Sequence, residues 1–294
     1  MQQSVNIVLG GVFHAAVLFL VAAGLQLVFG VQKILNLACG SFYALGAYFG
    51  VTLVSHALGA GAPPSLFLAV LIAAGLLLAA IGPPVERLLR TIADRDEAFQ
   101  LLLTFALVLV FEDVIRFFWG TAPHQLGGAV YLAYGQLRAG DLTIPVYNLV
   151  VIAAGGLIAA AMGWLLTRTR FGRIVRAAAE NRRMAEALGV DMNRVSSRVF
   201  TLGVALGTVG GALVIPATAA VNEMGIELIV EAFAVVVIGG LGSMRGAFVG
   251  ALVVGLLKAV AIATYPEAEM LAIYVIVIAV LVLRPAGLFA RSTA

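Results

Sequence analysis

Five ionisable side chains stand in or beside long apolar stretches of this chain: Glu112, Asp113, Arg116, Glu231 and Lys258. Glu112 and Arg116 are four residues apart, the spacing that brings two side chains together on a helix. Glu231 and Lys258 fall in two successive apolar segments, each in the outer half in the topology derived below. Charges inside a hydrocarbon layer are costly, so they are paired with one another or turned toward a cavity. Structural pairs, Glu112 with Arg116 and Glu231 with Lys258, are the plain reading. The sharper one is that some of these groups hold the ammonium and carboxylate of a zwitterionic solute. Covalent and metal chemistry find no comparable pattern. His14, His56 and His124 lie far apart, Cys39 is the single cysteine, and no Cys/His cluster has metal-ligand spacing. There is no Ser/His/Asp constellation and no G-x-x-x-x-G-K-[ST] phosphate loop.

The elements that must position these groups follow from composition. Of 294 residues, 62% are hydrophobic and 11% charged, and the mean hydropathy is +1.08. A soluble domain carries about 45–50% apolar and about 25% charged residues, so this chain lacks the polar surface to cover a water-exposed globule. Runs such as Ser65–Ala80, Phe99–Phe111 and Val146–Leu166 are apolar nearly all round, as a lipid-facing or bundle-buried helix requires. The roughly ten-residue alternation of a membrane β-barrel strand is absent. The fold class is therefore an all-α, polytopic transmembrane bundle, a single membrane domain over 1–294. The N-terminal MQQSVNIVLGG has no basic n-region and no A-x-A site, and reads as the start of a retained helix rather than a signal peptide.

A helix needs roughly 20 mostly apolar residues to cross the hydrocarbon. Seven segments meet this plainly: 5–30, 65–85, 98–119, 146–167, 196–216, 246–264 and 268–284. Two are weaker. Residues 36–58 are rich in glycine and small polar groups, as in a broken or re-entrant helix, and 226–242 is short and opens with Glu227 and Glu231. Basic residues decide between counts, because they gather in cytoplasmic loops. Lys33; Arg87, Arg90 and Arg95; the 168–198 stretch; Arg245; and Arg284 with Arg291 alternate with loops holding only Arg138. Nine spans satisfy this alternation, with the N-terminus outside and the C-terminus cytoplasmic; the alternative is eight crossings plus a re-entrant segment.

Residues 168–198 carry eight arginines against three acidic residues, a local excess of five positive charges in a chain whose net is +3. Topology accounts for that charge without a nucleic-acid partner. Ala177–Ala179, Ala185 and Ala187 favour helix, and Gly189 is a suitable C-cap. Val175, Ala178, Ala179, Arg182, Ala185 and Leu188 fall near one face, so one short amphipathic helix lying along the membrane is expected. It either rests on anionic lipid or docks into a groove of a soluble partner. Its apolar strip is dominated by alanine rather than the Trp, Phe or Leu of a lipid anchor, which favours docking.

Two glycine ladders, Gly203, Gly207, Gly211 and Gly242, Gly246, Gly250, have the small-xxx-small spacing that lets helix backbones approach closely. They are expected to pack helices, and such interfaces permit the rigid-body rocking of alternating access. Gly239–Gly242 also lies where an inner loop must turn.

The stretch GRIVRAAAENRRMAEALGVDMNRV resembles the cytoplasmic loop of the permease subunits of branched-chain amino acid ABC importers. Three more segments resemble that family in order: GLQLVFGVQKILNLACGSFYALGAY (24–48), VVVIGGLGSMRGAFVGALVVG (235–255) and RPAGLF (284–289). The length matches the shorter of the two permease types. The resemblance implies an ATP-driven importer in the bacterial inner membrane, with this chain as half of the translocation pathway and no enzyme itself. Its partners would be a second, longer permease, two ATP-binding subunits and an extracytoplasmic solute-binding protein. ATP and Mg would bind on the ATPase subunits, with no cofactor or metal here. Residues 171–190 would be the coupling helix, with Arg176, Glu180, Arg183, Glu186, Ala187 and Gly189 contacting the ATPase. Asn36, Cys39, Ser41, Tyr43 and Glu231 are candidates for the solute pathway. Relatives often carry a histidine and an acidic residue at the positions of Cys39 and Ser41, so this stretch is less charged here. Branched-chain or other small apolar amino acids are the expected solutes; related permeases carry urea, amides or small organic acids. A passive channel would tolerate changes in 171–190, and an intramembrane enzyme would need the missing nucleophile or metal site.

Overall fold

The computed structural model describes residues 2–92, 95–139, 142–283 and 287–289. The opening helix α1 (Gln2–Gln32) is followed by α2 (Cys39–Gly59), and α3 (Phe67–Leu78) continues through one 3₁₀ turn into α4 (Gly82–Arg90). Then come α5 (Glu97–Trp119), the one-turn α6 (Gly128–Tyr131), and an antiparallel hairpin of β1 (Gln136–Ala139) and β2 (Leu142–Pro145), with Leu137 opposite Ile144. Helix α7 (Val146–Arg168) leads into the arginine-rich stretch, α8 (Arg170–Glu180) and α9 (Arg182–Ala187). The chain finishes with α10 (Met192–Val214), α11 (Met224–Gly239), α12 (Met244–Thr264) and α13 (Glu269–Leu283).

Seven of these helical stretches are long and apolar enough to cross a membrane: Ser4–Gln32, Cys39–Gly59, Phe67–Arg90, Glu97–Trp119, Val146–Arg168, Met192–Val214 and Met244–Thr264. Helices α11 and α13 occupy the other two expected segments but have 16 and 15 residues, about 24 and 22 Å at 1.5 Å per residue. Helix α11 falls short of the roughly 30 Å hydrocarbon core; for α13 the length is that of its described part, up to Leu283. Segment 268–284, expected to be a full span, opens with a 3₁₀ turn at Pro266–Ala268 before α13 begins.

Burial orders the bundle from inside out. Of their apolar stretches, α10 buries 72% and α1 61%, whereas α5 buries 22% and α7 17%. Helices α1 and α10 are therefore the axis, and α5 and α7 turn most of their apolar surface outward to lipid or another chain. Glycine sets how closely the inner helices approach. A Cβ on Gly211 would overlap the Tyr43 carbonyl of α2, and one on Gly46 would overlap the Thr208 carbonyl of α10. Gly24 and Gly203 stack α1 on α10, Gly11 and Gly255 join α1 to α12, and Gly239 and Gly246 join α11 to α12. Of the two ladders, Gly203, Gly211, Gly246 and Gly250 sit against neighbouring backbone or side chains, and Gly207 makes ordinary contact. Gly242 differs: with φ +79 and open space where a Cβ would stand, it serves the turn rather than an interface.

That turn is well tied. The buried Gln26 of α1 donates from Nε2 to the Gly240 carbonyl at 2.9 Å, and its Oε1 accepts from the Gly242 N–H at 2.5 Å. Leu288 and Phe289 donate backbone N–H bonds to Ile238 and Gly239, so the end of the RPAGLF motif caps α11. Residues 284–286 of that motif, and Arg291, lie outside the described residues.

Candidate functional site

Three places hold the residues that the sequence singled out. The first is the arginine-rich stretch, which forms two helices instead of the single one expected. Asn181, extended at φ −150 and ψ 95, ends α8 and begins α9, and its Oδ1 accepts the Met184 N–H at 3.0 Å. Asparagine is among the best N-cap residues, so its side chain competes for the backbone and breaks the helix there. Val175, Ala178 and Ala185 turn inward and are buried, while Leu188 is 78% exposed and Met184 57%. Leu188 therefore stands opposite the inward face where the spacing had placed it. Arg182 and Glu186 pair at 3.1 Å, both about half exposed, and Arg176, Glu180, Arg183 and Ala187 are exposed as well. Gly189 has φ +84, and the Gly189 and Val190 N–H groups bond back to Glu186 and Ala185, a C-terminal cap that only glycine adopts without strain. The result is a protruding turn with two exposed apolar side chains set among arginines.

The second place is the junction of α1 and α2. After Lys33, at φ +59, the chain runs without helix to Cys39, yet Ile34, Asn36 and Ala38 are buried. Cys39 and Phe42 lie beside Gly207 of α10 and Gly40 against Gly225 of α11. Gly207 is about 22 Å along α10 from Met192, so α2 starts deep in the bundle and the 33–38 segment climbs inside protein. The expected break in 36–58 is real but confined to its first residues; from Cys39 the helix is continuous. Non-helical backbone at this depth needs partners. The Leu35 carbonyl accepts from Thr104 Oγ1 at 3.3 Å, and the Ala38 N–H donates to Asn36 Oδ1 at 3.1 Å. Cys39, Ser41 and Tyr43 are all buried on the first two turns of α2. Ser41 shares with Glu112, Asn222 and Gly225 the lining of a small space of about 10 Å³.

The third place gathers Glu231 of α11, Lys258 of α12 and His14 of α1. Lys258 Nζ donates to Glu231 Oε1 at 2.6 Å, and His14 Nε2 meets Oε2 at 2.6 Å. Glu231 is 1% exposed. His14 and Lys258 line an open groove of about 590 Å³ between α1 and α12, walled by Ile7, Gly10, Ala259 and Ile262. The Glu231–Lys258 pair is the one the sequence suggested; its third member is not, because 217 residues separate His14 from Glu231. The signal that would have found it is the run Gly11, Ala15 on α1, which marks the face that α12 covers. Glu231 had been placed on one pathway with the Asn36–Tyr43 group, and its helix begins against Gly40. On α5, Glu112 pairs with Arg116, which also approaches Asp113 at 3.8 Å. Among the described residues no group of three or more His, Cys, Asp or Glu is arranged to hold a metal ion.

Comparison with known proteins agrees with the resemblance read from the motifs. The family described as branched-chain amino acid transport system, permease component, matches residues 7–281. The high-affinity branched-chain amino acid transport system permease protein BraD of Pseudomonas aeruginosa is 25% identical over 301 residues, covering 99% of this chain and 96% of that protein. The corresponding permease proteins LivH of Salmonella typhimurium and of Escherichia coli K12 are 27% and 25% identical, again covering 99% of this chain and 96% of each.

Proposed function

This chain belongs to the family of branched-chain amino acid transport permease components, and from that premise we propose that it forms half of the translocation pathway of an ATP-driven importer. Branched-chain or other small apolar amino acids are its solutes. It is a multi-pass protein of the bacterial inner membrane and catalyses no covalent reaction. One membrane domain spans 1–294, crossing nine times with the N-terminus outside. In that topology the short α11 crosses inside a bundle that thins the layer around it, a known accommodation to short helices.

The observation that carries the reading is the protruding turn of α8 and α9. Exposed Leu188 and Met184, rimmed by Arg182, Arg183 and Glu186, suit insertion into a groove of a soluble partner. The partner is an ATP-binding subunit, one of two, which holds ATP and Mg. Arg176, Glu180, Arg183, Glu186, Ala187 and Gly189 make this contact, and hydrolysis moves the turn against α10. A second, longer permease chain and an extracytoplasmic binding protein complete the assembly. The solute passes Asn36, Cys39, Ser41 and Tyr43, with Glu231 behind them, while the glycine-packed helices rock between outward- and inward-facing states.

The test is uptake of labelled leucine, isoleucine and valine by the reconstituted complex. Leu188→Asp together with Glu186→Lys is expected to release the ATP-binding subunits from the purified permease and abolish ATP-driven uptake. Unchanged subunit retention and uptake would refute the docking role.

A further inference from the structure

The junction of α1 and α2 carries more than a break. Asn36 is fully buried, and its Oδ1 accepts the Ala38 N–H at 3.1 Å, which fixes the side-chain amide at the N-terminus of the 21-residue α2. Its other end, Nδ2, has no hydrogen-bond partner among the described residues. A buried donor left unpaired is costly, and such groups persist where something else is to be bound. The N–H groups beside it are also underused. Cys39 and Gly40 reach the Asn36 and Leu37 carbonyls only at 3.4 Å, beyond the usual 2.7–3.2 Å. Several donors thus converge at the positive end of a helix, in low-dielectric surroundings deep in the bundle. That combination favours an anion. Half-helices that start inside a membrane use it on anionic solute groups.

We propose that the α1–α2 junction is a carboxylate subsite: Asn36 Nδ2 and the first N–H groups of α2 receive the carboxylate of the amino acid as it crosses the bundle. The assignment rests on the importer reading above, which supplies a solute that carries a carboxylate. The site is closed in this conformation and opens when α2 parts from α10 and α11 along their glycine contacts. The positive charge of Arg116 balances Glu112 on α5, which lines the same small space as Ser41. The smooth Gly40–Gly225 contact lets two backbones separate without unlocking side chains.

The experiment uses the whole complex, with its binding protein, in proteoliposomes, and labelled L-leucine, L-isoleucine and L-valine as probes. Asn36→Asp keeps the acceptor for Ala38 but replaces the donor with a negative charge. Asn36→Ala removes the donor without adding charge. Each hydrogen bond to a charged group being lost, the KM for uptake is expected to rise about tenfold or more in the first variant and severalfold in the second, with both assembling at wild-type yield. A KM within twofold of wild type in both variants would overturn the subsite. So would failure of both to assemble, which would make the amide a requirement of folding. A wild-type complex that imports none of the three amino acids would instead overturn the importer reading on which the ligand depends.

Discussion

Replacing Lys258 with methionine should harm this protein more than replacing Glu231 with glutamine, although the two side chains form one pair. The reason is where each charge sits. The Glu231 side chain is 2% exposed and that of Lys258 is 19% exposed. Lys258→Met leaves a carboxylate sealed among α1, α11 and α12 with His14 its remaining hydrogen-bond partner among the described residues. Removing one partner of a buried pair costs about 3–5 kcal/mol, and this case lies in that range. Glu231→Gln keeps the shape and still offers an amide oxygen to Lys258. Lys258 borders the open 590 Å³ groove rather than the sealed interior, so the cost falls to roughly 1.5–3 kcal/mol. At about 2–4 °C per kcal/mol for a domain of comparable size, thermal unfolding of the purified complex should drop roughly 6–20 °C for Lys258→Met. The double variant carries no buried unpaired charge and should be more stable than Lys258→Met alone, a coupling that a double-mutant cycle reads directly. Equal losses for the two single variants, or a double variant as unstable as their sum, would refute the claim that burial of Glu231 sets the cost.

The glycine ladder on α10 gives a sharper contrast from near-identical substitutions. Gly211→Ala forces a methyl into the Tyr43 carbonyl, whereas Gly207→Ala meets its nearest atom at 3.6 Å. The first should cost about 1–3 kcal/mol as overpacking and the second should be close to neutral, both read from melting of the purified complex. Gln26→Leu withdraws the two bonds that hold the turn at Gly240 and Gly242. The stranded backbone groups should cost about 2–4 kcal/mol, with faster hydrogen exchange at 240–243 than elsewhere in the bundle; unchanged exchange there would show that Leu288 and Phe289 suffice to hold the turn.

What the sequence made legible was what hydrophobicity and local spacing control. The apolar runs fall on helices because a helix is the one open-ended structure that satisfies its backbone without water. The i,i+4 pair of Glu112 with Arg116 needs no tertiary information. Asn181 was equally legible: an N-cap residue sits inside the alanine-rich stretch, and alanine propensity outweighed it in the reading but not in the chain. Length was the weaker guide at α11 and α13. The end of α11 is set by Gly240 and the start of α13 by the Pro266 turn, neither of which enters a count of apolar residues.

Partners joined across the bundle were illegible for a different reason. Between Ile7 and Val31 of α1, His14 and Gln26 are the two polar residues in an otherwise apolar run, and nothing near them in sequence says what they meet. Both meet the far end of the chain, 217 and 214 residues away, and both act on α11: His14 at its buried carboxylate, Gln26 at its terminal turn. Lone polar residues in an apolar helix are costly unless matched, so each one predicts a partner without naming it. Asn36 obeys the same rule with half its demand unmet. Its Oδ1 has found the Ala38 N–H, while its Nδ2, buried as deeply as the groups that are satisfied, points to a partner that arrives only during transport.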